Sequence, residues 1–97
     1  MFTVFDAIQQ ERLVQDARWG EQNHGELKWS AILTEEVGEV ARAVNELTPT
    51  KGNVSGGRVG QTLLLRRELI QVAAVCVAWL ECLERFDRGE VRDADPT

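Results

Sequence analysis

The stretch QTLLLRRELIQVAAVCVAWLECLER, residues 61–85, decides the fold. Its β-branched residues Ile70, Val72, Val75 and Val77 favour strands by propensity. Its length argues otherwise: a run without glycine or proline is far longer here than the usual strand of about 5–6 residues. The stretch therefore reads as a helix. At about 100° per residue, Leu64, Val72, Val75 and Trp79 share one side, while Leu63, Ile70 and Val77 occupy the opposite one. A helix that is apolar on opposite sides has to be covered on both.

Two more helices lie upstream. Residues 4–18 form the first, with Thr3 and Asp6 spaced as a capping box (Asp in place of the usual Glu) and Gly20 as the terminator. Residues 30–46 form the second, with Ser30 as N-cap and Pro49 beyond its end. Between the second and third runs PTKGNVSGGRVG, residues 49–60, whose Gly52, Gly56, Gly57 and Gly60 signal a loop long enough to carry function. Residues 88–97 read as a polar, frayed tail after a single domain at 1–87. The fold class is all-α, a bundle of three long helices per chain. A chain of 97 residues buries only about 60–65% of its unfolded surface, and two helices cannot cover the third all round. The bundle is therefore expected to be completed by oligomerisation, as at least a homodimer.

Composition narrows the function classes. Sixteen acids against eleven bases, a net charge of -5 and a pI near 4.8 argue against a nucleic-acid partner, which needs a basic stripe. An apolar content of 43% argues against disorder. The longest near-apolar run, residues 69–80, includes Gln71 and falls short of the roughly 20 residues that span a bilayer, so no membrane is expected. Asp6 and Glu11 stand where a secretory signal would be basic and then apolar, which suggests a cytoplasmic protein. Cys76 and Cys82 point about 240° apart on one helix, cannot pair with each other, and read as small core residues. With one histidine in the chain, no zinc site is expected.

Certain glutamates fall where apolar residues would be expected. In the second helix Leu33, Val37, Val40 and Val44 form a stripe; Glu36 lies about 60° from its centre and Glu39 about 120°, interleaved with Ile32 and Ala43. Glu35 is further round, toward solvent. In the third helix Glu68 sits among Leu64, Val72 and Val75, one turn from Gln71. A carboxylate in an apolar stripe is costly unless paired or metal-bound. Two helices offering acidic or amide groups at i, i+3 to one interior is how bundles build carboxylate metal sites, and oxygen ligands favour Mg2+ or Mn2+. The competing reading is an ordinary set of salt bridges from Arg12, Arg42, Arg66 or Arg67.

Glu35-Glu36-Val37-Gly38-Glu39, followed after a loop by Glu68-Leu69-Ile70-Gln71, resembles the EExxE … ExxD signature of the all-α nucleoside triphosphate pyrophosphohydrolases, the MazG-like group. Trp19-Gly20-Glu21-Gln22-Asn23-His24 resembles the segment preceding the metal helix in several members, so the likeness extends over residues 10–85. The resemblance implies a helical homodimer or homotetramer that binds Mg2+ and hydrolyses a (d)NTP to (d)NMP and pyrophosphate. It makes Glu36, Glu39 and Glu68 metal ligands, and Glu35 a metal-shell residue or the group that orients or deprotonates the attacking water. One position departs: the final motif acid is Gln71, whose amide oxygen can coordinate but carries no charge.

A triphosphate brings about four negative charges to these four glutamates, so cations have to lie between them. Lys51 and Arg58 flank the loop glycines and are candidates to close on the phosphates. Trp19, His24 and Trp29 cluster between the first two helices, where a base can stack on a tryptophan and take a hydrogen bond from the histidine. Gln22 and Asn23 offer amides that can read a base. No P-loop pattern occurs. The alternatives to an enzyme are a non-catalytic or weakly active nucleotide-binding or helical oligomerisation module that lost the last acid, and an interaction domain whose glutamates pair with arginines.

Overall fold

The computed structural model describes residues 1–47, 58–90 and 92–93, excepting the side chains of 58, 59 and 61. Among them the regular structure is helical: α1 (Val4–Trp19), α2 (Glu26–Leu47) and α3 (Arg58–Asp87). No helix of the described residues is long and apolar enough to cross a membrane.

The ends of α1 follow from its caps. Thr3 Oγ1 accepts from the Asp6 N–H at 3.1 Å and Asp6 Oδ2 accepts from the Thr3 N–H at 2.7 Å, which closes the capping box. Gly20 takes a φ of 72°, which an L side chain resists, and its N–H donates to the Asp16 carbonyl at 2.9 Å. α3 ends in a Schellman motif: Glu90 N–H donates to Arg85 O at 3.1 Å, Gly89 N–H to Phe86 O at 2.9 Å, and Gly89 has a φ of 88°.

Two boundaries differ from the reading of the sequence. α2 begins before Ser30, with Trp29 N–H already donating to Gly25 O at 3.1 Å. Ser30 is exposed inside the helix, and its carbonyl accepts from Thr34 Oγ1 at 2.8 Å. The indole of Trp29 explains the earlier start: at 1% exposure it belongs to the core and needs a helical backbone to reach it. At the other boundary residues 58–60, assigned to the glycine loop, form the first turn of α3.

α3 is the central element. α1 and α2 each pack on it, and among the described residues they do not pack on one another. The core is small: Trp29, Val75, Ala78 and Cys82 are buried, with Ile32, Leu33 and Trp79 against them. The Trp29 and Trp79 rings stack at 6.2 Å between centroids with 11° between planes. Both cysteines are free, Cys82 buried and Cys76 half-buried.

The large indole also sets the rotation of α2. Its inward line runs through Trp29, Ile32, Leu33, Glu36, Val40 and Ala43, so of the expected stripe Leu33 and Val40 hold their place while Val37 and Val44 do not. Val37 is 50% exposed and Val44 43% exposed. Glu36, placed on the shoulder of that stripe, is half-buried in the inward line instead.

α1 docks on α3 through a polar bond at its middle. Arg12, 7% exposed, donates through Nε at 2.8 Å and through Nη2 at 2.6 Å to Glu81 Oε1, and through Nη2 at 2.9 Å to Asp16. Beyond α3, Arg92 and Asp93 lie in the stretch expected to be a frayed tail, yet they fold back on the α1–α2 linker. Arg92 donates to the His24 carbonyl and pairs with Glu26, and the Asp93 N–H donates to Asn23 O at 2.6 Å.

Candidate functional site

Because α1 and α2 both rest on α3 and, among the described residues, do not pack on each other, a cavity of about 450 Å3 opens between them with α3 as its floor. Trp19 and His24 line one part of it, and Glu36 and Gln71 another. Residues 36 and 71 belong to the two separate halves of the acidic motif, and here they border one space.

The electrostatics of Glu36 come from its surroundings. Burial raises its carboxyl above the ordinary 4.5, and the neighbouring carboxylates of Glu68, Glu35, Glu39 and Glu11 raise it further. No ion pair among the described residues involves Glu35, Glu36, Glu39 or Glu68. Arg12, one of the candidate neutralisers, is committed to Glu81 and Asp16, and Arg42 stands 3.7 Å from Glu46. The half-buried Glu36 and Glu68 and the exposed Glu35 and Glu39 thus form a group of like charges.

Oxygen donors with excess negative charge suit a hard cation chemically. Their spacing is looser than a ligand set: among the described residues no three His, Cys, Asp or Glu side chains are grouped closely enough to hold a metal ion.

His24 is fixed by contacts from the far end of the chain. Its carbonyl accepts from Arg92 Nε at 3.2 Å and Nη2 at 2.9 Å, and Cys82 Sγ donates to it at 3.7 Å. Arg85 donates to Asn23 Oδ1 at 2.8 Å and to Gln22 O at 2.9 Å, holding the preceding residues. The ring is buried, and its edge meets Trp29 at 4.9 Å with 63° between planes. Neither ring nitrogen has a hydrogen-bond partner among the described residues, although Nδ1 lies 3.5 Å from Asp93 Oδ2. Burial lowers the imidazole below 6.5, Lys28 lowers it further, and Asp93 opposes both. The ring is therefore neutral near pH 7, with one nitrogen able to donate and the other to accept.

The remaining predicted residues divide. Trp19 is 61% exposed and carries the Arg18 guanidinium 4.9 Å from its ring centroid. Trp29 borders the cavity but is a core residue with Trp79 on its face, so its part is to support His24 rather than to offer an open stacking surface. Lys51 lies outside the described residues; Arg58 opens α3, its side chain outside them. Glu11 and Arg18, which sequence reasoning did not single out, line the cavity one and then two helical turns along α1 from each other's start, with Gln15 between. Their i, i+4, i+7 spacing was the available signal. A comparison with protein-family models, curated proteins and solved structures finds no match.

Proposed function

We propose that the chain is a Mg2+-dependent nucleoside triphosphate pyrophosphohydrolase that converts a (d)NTP to the (d)NMP and pyrophosphate, clearing surplus or non-standard nucleotides in the cytoplasm. The observation that carries the reading is Glu36: half-buried, raised by four other carboxylates, without an ion pair among the described residues, and bordering the cavity that Trp19, His24 and Gln71 also line. In this reading Glu36, Glu39 and Glu68, with the Gln71 amide oxygen, hold Mg2+ or Mn2+. A cation held there would supply the charge that lets carboxylates and phosphates meet and would make a nearby water more acidic. Glu35 accepts the proton of the water that attacks the α-phosphorus, the bond from that phosphorus to the bridging oxygen breaks, and pyrophosphate leaves. Trp19 stacks on the base, and His24, neutral and with its Nε2 unpartnered among the described residues, meets its polar edge.

The site is completed in a homodimer or homotetramer. This part rests on the apolar side chains left exposed on α3, including Leu63 at 61% and Leu69 at 51%, and on the separation of the acids in one chain. The test is a panel of NTPs and dNTPs, with dUTP and oxidised bases, incubated with Mg2+ or Mn2+ and read as pyrophosphate release. Release from one or more members supports the reading; silence across the panel removes it.

A second reading, a non-catalytic nucleotide-binding or oligomerisation module, draws on Gln71 in the place of the last acid and on the loose spacing of the acids. Gln71→Asp separates the two. It raises turnover in a working enzyme and leaves a binding module silent.

A further inference from the structure

A second cavity, of about 380 Å3, lies between α1 and the N-terminal half of α3. Glu11, Val14, Arg18 and Gln71 border both cavities, so the two form one groove. Its outer part is lined by Arg18 from α1 and by Arg66 and Arg67 from α3.

The pairing of the arginines makes this grouping informative. The chain has five more acids than bases, sixteen against eleven, so carboxylate partners are plentiful. Arg12, Arg42, Arg85, Arg88 and Arg92 each form an ion pair. The other arginines with described side chains, Arg18, Arg66 and Arg67, have none among the described residues, and all three border the same cavity. Each is exposed, and Arg18 is positioned by its stacking over Trp19. Glu11 is the acid on the shared wall, and it acts on Glu36 at the other end of the groove. Glu36 is raised by burial and by carboxylates alone, with no arginine offsetting them. The groove is therefore bipolar, acidic around Glu36 and cationic around the three arginines.

We propose that Arg18, Arg66 and Arg67 form a polyphosphate subsite that holds the terminal phosphates of the ligand without a metal ion. Guanidinium groups suit the task because they donate paired N–H bonds to phosphate oxygens and stay charged at all relevant pH values. Presented by two helices to one cavity, they favour an anion with several phosphates over a single one. The assignment of this anion to the β- and γ-phosphates of a nucleotide rests on the proposed hydrolysis; the binding of polyphosphate does not.

The experiment is isothermal titration with inorganic tripolyphosphate in EDTA, with sulfate at matched ionic strength as control. Tripolyphosphate is expected to bind about tenfold or more tightly than sulfate, and R66Q/R67Q and R18Q each to weaken it about tenfold, for the loss of charge-assisted bonds. Arg42→Gln, which removes an exposed arginine away from the groove, leaves binding unchanged. Equal affinity for the two anions, or undiminished binding by R66Q/R67Q, overturns the subsite. A melting curve matching the wild type guards against misfolding of these exposed variants. Arginine-dependent binding in a protein that releases pyrophosphate from no nucleotide would leave the subsite standing and remove the enzymatic reading. Turnover with a KM indifferent to R66Q/R67Q would do the reverse.

Discussion

Burial and the carboxylates of Glu68, Glu35, Glu39 and Glu11 all disfavour the charged form of Glu36, so its ionisation carries a cost in the absence of a cation. Glu36→Gln is expected to raise the melting temperature in EDTA by roughly 2–5 °C, because it relieves several like-charge interactions of a few tenths of a kcal/mol each. If the proposed hydrolysis holds, the same variant is expected to abolish pyrophosphate release. A buried ion pair would behave oppositely, since removing one partner strands the other. Its folded-state carboxyl lies above 4.5, so the folded form binds the proton more tightly, and this group's contribution to stability falls as pH rises from 4.5 through the raised value. His24 has the reverse sign. Its folded-state value lies below 6.5, so the unfolded chain takes up the proton first, and stability falls as pH drops from 6.5 through the lowered value. Chemical denaturation across that window, with His24→Gln flattening the slope, checks the assignment.

At the scale of the element, the linker between α1 and α2 depends on Arg85 and on Arg92. Arg92→Ala removes both guanidinium donors to the His24 carbonyl, leaving the Cys82 thiol, and the pair with Glu26. The expected cost is about 1–2 kcal/mol, with faster amide exchange over residues 22–26 as the local readout. Trp29→Ala removes the largest fully buried side chain and is expected to cost about 3–5 kcal/mol, read by denaturant unfolding. The first helix was legible from local chemistry: the Thr3–Asp6 box and Gly20 act within a few residues of the ends they define. The start of α2 was not legible in this way. Ser30 has cap chemistry, but the burial of Trp29 against Val75, Ala78 and Cys82 outweighs it, and those partners are over forty residues away. The same long-range packing turned Val37 outward and Glu36 inward. Glu36 and Gln71 could be named from motif spacing, whereas Glu11, Arg18, Arg66 and Arg67 gain their place only once α1 docks on α3.

At the scale of the whole molecule, the described residues extend over 53 × 41 × 19 Å, and the short dimension is about two helix diameters. Among the described residues only α1 and α2 pack on α3, and Leu63, Leu69 and Leu80 stay exposed along it. Sedimentation is expected to give a dimer or tetramer, and Leu69→Glu, in the apolar groove that Val4 and Ile8 also line, to shift it toward the monomer. A monomeric wild type would set the assembly aside.

The most direct measurement follows a nucleoside triphosphate with Mg2+ by 31P NMR, using the wild type and Glu36→Gln. Monophosphate and pyrophosphate signals are expected to grow together in the wild type and to stay absent in the variant. Formation of diphosphate and orthophosphate, or equal turnover by Glu36→Gln, would rule out the proposed hydrolysis.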